Sequence, residues 1–124
     1  MASAVKLVIP RILPGCNEYI NAQRRDRQLG ARLKRETEER ILWSIRQQLR
    51  GVRFDVPVVM HYLWVEKNRK RDKDNIAFAR KFVQDALVKS GVLRNDGWGE
   101  IVGFSDAFAV DKKNPRVEVQ FKKA

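Results

Sequence analysis

The chain has 124 residues, 44% of them apolar, and its 26 Lys and Arg outweigh 15 Asp and Glu to give a net charge of +11. That length suits one compact domain over residues 1–124, with enough apolar material for a core. One cysteine excludes an intrachain disulfide, one histidine excludes a multi-histidine metal centre within the chain, and the lack of a long apolar run excludes a membrane-spanning helix.

A positive excess this large points to an acidic partner, such as nucleic acid or an anionic membrane surface, and says nothing about fold. The start MASAVKLVIPRIL has no basic segment leading into an extended apolar one, so no secretory signal is expected. Together with the lone Cys16, read as a buried or loop residue, this makes a reducing cytoplasm the expected compartment.

AVKLVIP (4–10) is rich in β-branched residues and closes at Pro10, as a strand would. LPGCNEYINAQRR (13–25) contains Pro14, Gly15, Asn17 and Asn21 and reads as a loop with turns. From about Leu29, apolar residues recur at helical spacing (Leu33, Ile41, Leu42, Ile45, Leu49) among Arg, Lys, Glu and Gln. Gly51 supplies a left-handed cap, so a long amphipathic helix is expected, with Trp43 at the edge of its stripe.

PVVMHYLWVE (57–66) reads as a strand apolar on both faces, with His61 a packed core histidine. Residues 67–73 form a basic loop. A second helix is expected from about Asp74 to Ser90, closed by Gly91, with the core stripe Ile76, Ala79, Val83, Ala86 and Leu87. RNDGWG (94–99) is a loop, EIVGFSDAFAV (100–110) a strand, DKKNP (111–115) a turn, and RVEVQFK (116–122) a strand alternating through Val117, Val119 and Phe121. The order β-α-β-α-β-β describes an α+β domain, a small mixed sheet packed on two helices.

The basic run Lys67, Arg69, Lys70, Arg71, Lys73 suits phosphate binding by counterion release, yet Asp72 and Asp74 sit inside it. In an extended segment residues i and i+2 point to one side, so the two carboxylates would face one point and repel unless a cation lies between them. Hard oxygen ligands suit Mg²⁺ or Mn²⁺, which activate water and stabilise an in-line attack on a phosphodiester. The competing reading makes Asp74 a helix cap and leaves Asp72 solvated. Asp96 is the third candidate, or else part of an Asn-Asp-Gly turn. Lys81 lies two helical turns beyond Asp74, within reach of a phosphate there, or pairs with Asp85 at i+4.

RDKDNIAFARKFVQDALVKSGVLRNDGW (71–98) resembles the signature of the RusA family of Holliday junction resolvases, common in phages and prophages. The resemblance rests on Asp-x-Asp-Asn at 72–75, Asp-Ala-Leu at 85–87 with Lys81 four residues ahead, Lys-x-Gly at 89–91, and Asp96. LPGCNEYINAQRR is similar to the family's Pro- and Asn-bearing N-terminal loop, and with the strands these features cover most of the chain. The resemblance implies a small α+β homodimer in the cytoplasm of a bacterial host that cuts four-way DNA junctions symmetrically with Mg²⁺, for which Mn²⁺ can substitute. It implies that Asp72, Asp74 and Asp96 bind the metal and that Lys81 matches the family's catalytic lysine. The gap before that lysine is longer than in the enterobacterial founding member, so Arg80 stands as the other candidate. Arg80 and Asn17 join the basic run as expected DNA contacts. A two-fold dimer would present equivalent sites to opposite strands of a junction. Trp98 either packs or stacks on unpaired bases, and Glu100 is a candidate outer ligand. The rival expectation is a basic module that grips branched DNA without cutting it.

Overall fold

The computed structural model describes residues 5–124; Ala4, the first residue of the expected strand, and the three residues before it lie outside the described residues. The elements are β1 (Val5–Pro10), α1 (Cys16–Arg25), α2 (Arg27–Gln48), β2 (Val58–Glu66), α3 (Lys73–Ala77), α4 (Arg80–Lys89), β3 (Ile101–Val110) and β4 (Arg116–Lys123). This is the expected α+β mixed sheet, with more helices than the two foreseen.

The four strands lie in the order β1-β4-β2-β3. β4 runs antiparallel to both β1 and β2, and β3 runs parallel to β2. Alternation fixes which side is buried: Met60, Tyr62 and Trp64 stand opposite Phe121, Val119 and Val117, and all six are buried. Ile41 and Ile45 of α2 and Phe82, Val83, Ala86 and Leu87 of α4 join them in one core. Each such large side chain contributes about 1.5–3 kcal/mol on burial. Tyr62 and Trp64 stack with ring centroids 5.3 Å apart. Burial pushes the Tyr62 hydroxyl far above its ordinary range, and Gln84 donates to it.

His61 is on the opposite face. It is half-buried, with Nδ1 2.6 Å from Ser105 Oγ, so the expectation of a packed core histidine is corrected by strand register. Gly51 takes the left-handed conformation expected of it, with φ +76°.

Two further expectations change. Residues 16–25 form a helix where turns were expected. Its backbone is chosen by contacts with the segment after β2: a Cβ on Gly15 would lie 2.6 Å from the Asn75 carbonyl oxygen, and Asn17 N–H donates to Asn75 Oδ1 at 2.7 Å. Tyr19 meets the Phe82 ring edge-on with centroids 5.7 Å apart. Asp26 then separates α1 from α2, its carboxylate accepting from Gln28 N–H at 2.9 Å in the usual N-cap bond. The second expected helix is divided at Phe78–Ala79 into α3 and α4, although Ile76, Ala79, Val83, Ala86 and Leu87 are all buried as the periodicity indicated.

The connection from β3 to β4 crosses over the end of β2, where Asp111 N–H donates to the Glu66 carbonyl at 2.9 Å. This crossing leaves β3 as an edge strand.

Candidate functional site

β2 ends in Glu66, a buried carboxylate that faces Arg71. The Arg71 fork donates Nε to Glu66 Oε1 and Nη2 to Oε2, both at 2.9 Å, and Nη1 to the Leu13 carbonyl at 2.9 Å and Glu18 Oε1 at 2.7 Å. One guanidinium therefore ties β2, α1 and the preceding loop together, and the bidentate half is the strongest geometry such a pair adopts. Burial alone would push Glu18 up, but the Arg71 hydrogen bond and charge, with a contribution from Asn75, hold its carboxyl below the ordinary value. Desolvation would likewise lower Arg71, and its hydrogen bonds to Glu66 and Glu18 raise it instead. Arg71 is thus turned inward, with its donors on protein acceptors.

The anchored loop presents Asp72 and Asp74. Asp72 occupies the N-cap position of α3 in extended backbone, but its carboxylate makes no capping bond; its carbonyl accepts from Ile76 N–H at 3.0 Å. Asp74 lies in the first turn, with Oδ1 accepting from Asn75 N–H at 3.0 Å. Both are exposed, and among the described residues neither is in an ion pair. Both line one open cleft of about 590 Å³, together with Glu66, Asn68, Arg69, Lys73, Phe108 and Val110.

The cations around it fall into two groups. Lys67, Arg69 and Lys70 are exposed and carry no ion pair among the described residues, while Lys73 sits 5.6 Å from the centre of the Phe108 ring. Arg80, by contrast, is ion-paired with Asp106 and lies 4.3 Å over the Phe104 ring. Asp106 also accepts from the Trp64 indole at 2.8 Å. Lys81 is exposed at the start of α4, and its expected partner Asp85 faces Lys34 at 3.9 Å. The break at Phe78–Ala79 interrupts the two-turn spacing from Asp74, and Lys81 does not line the cleft. Asn17 is exposed and held through its backbone against Asn75, next to Asp74 in the chain.

Asp96 is elsewhere. The turn that carries it hydrogen-bonds into the start of β3, with Ile101 N–H on the Gly97 carbonyl at 3.1 Å and Val58 N–H on the Glu100 carbonyl at 2.9 Å. The cleft, in contrast, lies at the far ends of β2 and β3. At about 3.3 Å per residue, β2 alone spans roughly 26 Å between those ends. The cause is topological: two parallel strands require the intervening helices to carry the chain back to the starting edge. Within one chain the structure brings Asp72 and Asp74 together and leaves Asp96 and Glu100 at the opposite end. Among the described residues, no three Asp, Glu, His or Cys side chains are placed to hold a metal ion. Trp98, in the same turn, is 98% exposed and packs on nothing among the described residues.

Glu66 and the Arg80–Asp106 pair escaped the sequence reading, as did a second cleft lined by Arg46, Arg50 and Arg53. The spacing of Arg46 and Arg50, one helical turn apart, was the available sign of that cleft.

Among known families, the model described as endodeoxyribonuclease RusA matches residues 17–122. No curated protein matches the chain.

Proposed function

The chain belongs to the RusA family of endodeoxyribonucleases, and on that premise we propose that it resolves four-way DNA junctions by paired, divalent-ion-dependent phosphodiester hydrolysis as a homodimer. The observation that carries this reading is a pair of carboxylates, Asp72 and Asp74, open to solvent and without ionic partners in a cleft rimmed by free cations. Such a pair opposes phosphate binding unless it does chemistry.

Lys67, Arg69, Lys70 and Lys73 draw the DNA backbone to the cleft by displacing counterions. Arg71 holds the loop from behind rather than touching DNA, and Arg80 keeps Asp106 in place. Lys81, exposed where the alternative Arg80 is held in an ion pair, stabilises charge developing on the cleaved phosphate. Asn17 touches the backbone from the α1 side. A carboxylate of the pair takes the proton of the attacking water. Hard oxygen donors suit Mg²⁺ or Mn²⁺, but a single chain supplies two of the three expected carboxylates and does not make a closed ion site. The protein acts in the host cytoplasm, in recombination, replication or packaging of phage DNA; among the described residues no helix is long and apolar enough to cross a membrane.

That the described residues of one chain close no ion site favours one other reading, a module that binds branched DNA without cutting it. Incubation with a synthetic four-way junction and MgCl₂ separates the two. Paired cuts are expected, with Asp72→Asn and Asp74→Asn lowering the rate by about 10²-fold or more while binding is kept. Binding without cleavage under any divalent ion establishes the module instead.

A further inference from the structure

We propose that the cavity where α2 packs on the end of β1 holds one unpaired nucleotide of DNA, its phosphate on Arg11 and Arg40 and its base on Trp43. That this nucleotide belongs to a strand being cut rests on the functional reading above; the site itself does not.

The cavity, of about 260 Å³, is lined by Ile9, Pro10, Arg11, Arg40, Trp43 and Ser44. Two of these carry guanidinium groups and none carries a carboxylate. Neither arginine is in an ion pair among the described residues. Arg40 is half-buried, and its Nη2 donates to the Pro10 carbonyl at 3.0 Å and the Ile12 carbonyl at 3.2 Å. Its Nε and Nη1 have no protein acceptor among the described residues. Burial and the neighbouring Arg11 charge hold Arg40 below its ordinary value. Like charges beside one cavity, one of them partly out of water, favour an anion there.

The backbone agrees. Arg11 has φ +68°, the one positive φ at a non-glycine among the described residues. A turn that needed only this conformation would take Gly or Asn, which adopt it at less steric cost. Arginine adds a cation beside Arg40. Trp43 completes the chemistry. It is 59% exposed, and an open indole is a platform on which any base stacks. An apolar protein partner would cover Trp43 but strip water from two unpaired guanidiniums. A nucleotide serves all three side chains, phosphate to the cations and base to the ring. Ser44 Oγ, buried in the wall, has no hydrogen-bond partner among the described residues.

The site faces the same way as the carboxylate cleft. Pro10 pairs with Arg116 and Arg116 with Val65, the neighbour of Glu66. β1 and β2 therefore end together, where the cleft of Asp72 and Asp74 opens. Two strand spacings separate those ends, about 10 Å, or about three nucleotides at 3.4 Å each. The segment between is held from both sides, by Arg40 at Pro10 and Ile12 and by Arg71 at the Leu13 carbonyl. A nucleotide fixed here sets the strand a few positions from the phosphate at the carboxylates and selects DNA with an unpaired base.

Tryptophan emission tests the site. In a Trp98→Phe background Trp43 is the one exposed tryptophan, because Trp64 is buried. Single-stranded oligo(dT) is expected to quench its emission saturably at low salt, and a blunt duplex to quench it little. Arg11→Gly removes the cation and suits the backbone; it should weaken oligo(dT) binding about tenfold with cooperative melting kept. Trp43→Ala should weaken binding of a four-way junction by about tenfold. Emission unmoved by oligo(dT), equal quenching by the duplex, or folded Arg11→Gly and Trp43→Ala chains that bind as the wild type does overturn the site. A mass in solution that falls on Trp43→Ala makes the ring a contact between copies and overturns it too. Junction cutting by a wild type that fails these tests leaves the functional reading standing without the site. Quenching in a protein that cuts no junction keeps the site and refutes that reading.

Discussion

Arg71 shows how one residue's role depends on atoms far along the chain. By composition it belongs to a phosphate-binding run, yet its fork closes on Glu66 and Glu18. A run of cations does not reveal which member finds a carboxylate 53 residues away. The only local sign was Glu66, a charge ending an apolar strand. Arg71→Ala leaves Glu66 buried without its partner and is expected to cost about 3 kcal/mol in urea unfolding, with Arg71→Lys recovering little because an ammonium lacks the fork. Acid should act at the same level. Glu118 is held below its ordinary value by hydrogen bonds from Lys6 and Arg116, and Glu18 is lowered on balance by Arg71 against burial. A depressed folded pKa means stability that is full above the unfolded value and lost as pH falls through the folded one. The urea midpoint should hold from neutrality to roughly pH 5 and then decline, less steeply in Glu118→Gln.

At the scale of elements, periodicity located all four strands, the long helix and the stripe of the second helix, because burial on one face leaves a signature in a single segment. Partnership leaves none. Pro14, Gly15 and Asn17 spell turns, but contact with Asn75, Phe78 and Phe82 makes the residues that follow a helix. Gly15→Ala forces its new Cβ onto the Asn75 carbonyl, a backbone atom with little freedom to move. Loss of stability of about 1–3 kcal/mol and slower junction cutting are expected, since α1 is what steadies the loop holding Asp72 and Asp74. Likewise Asp96 was legible as a candidate, but its place depended on β2 and β3 being parallel, which their sequences do not state. Parallel pairing sends the loop before the helices and the loop after them to opposite ends of the sheet.

For the whole molecule, the +11 charge predicts affinity for any nucleic acid, and the anchored carboxylates predict what becomes of it. Junction affinity should fall steeply with salt, and neutralising Lys67, Arg69 and Lys70 together should reduce the slope of log affinity against log salt by about 3. The same substitution at Arg71 should change the slope little, because that guanidinium faces inward. The most direct measurement is single-turnover cutting of a labelled four-way junction in MgCl₂, wild type beside Asp74→Asn, with binding of both followed in parallel. The account predicts symmetric cuts by the wild type and a bound but uncut junction with the variant. Equal cutting by the two, or a wild type that binds and never cuts, contradicts it.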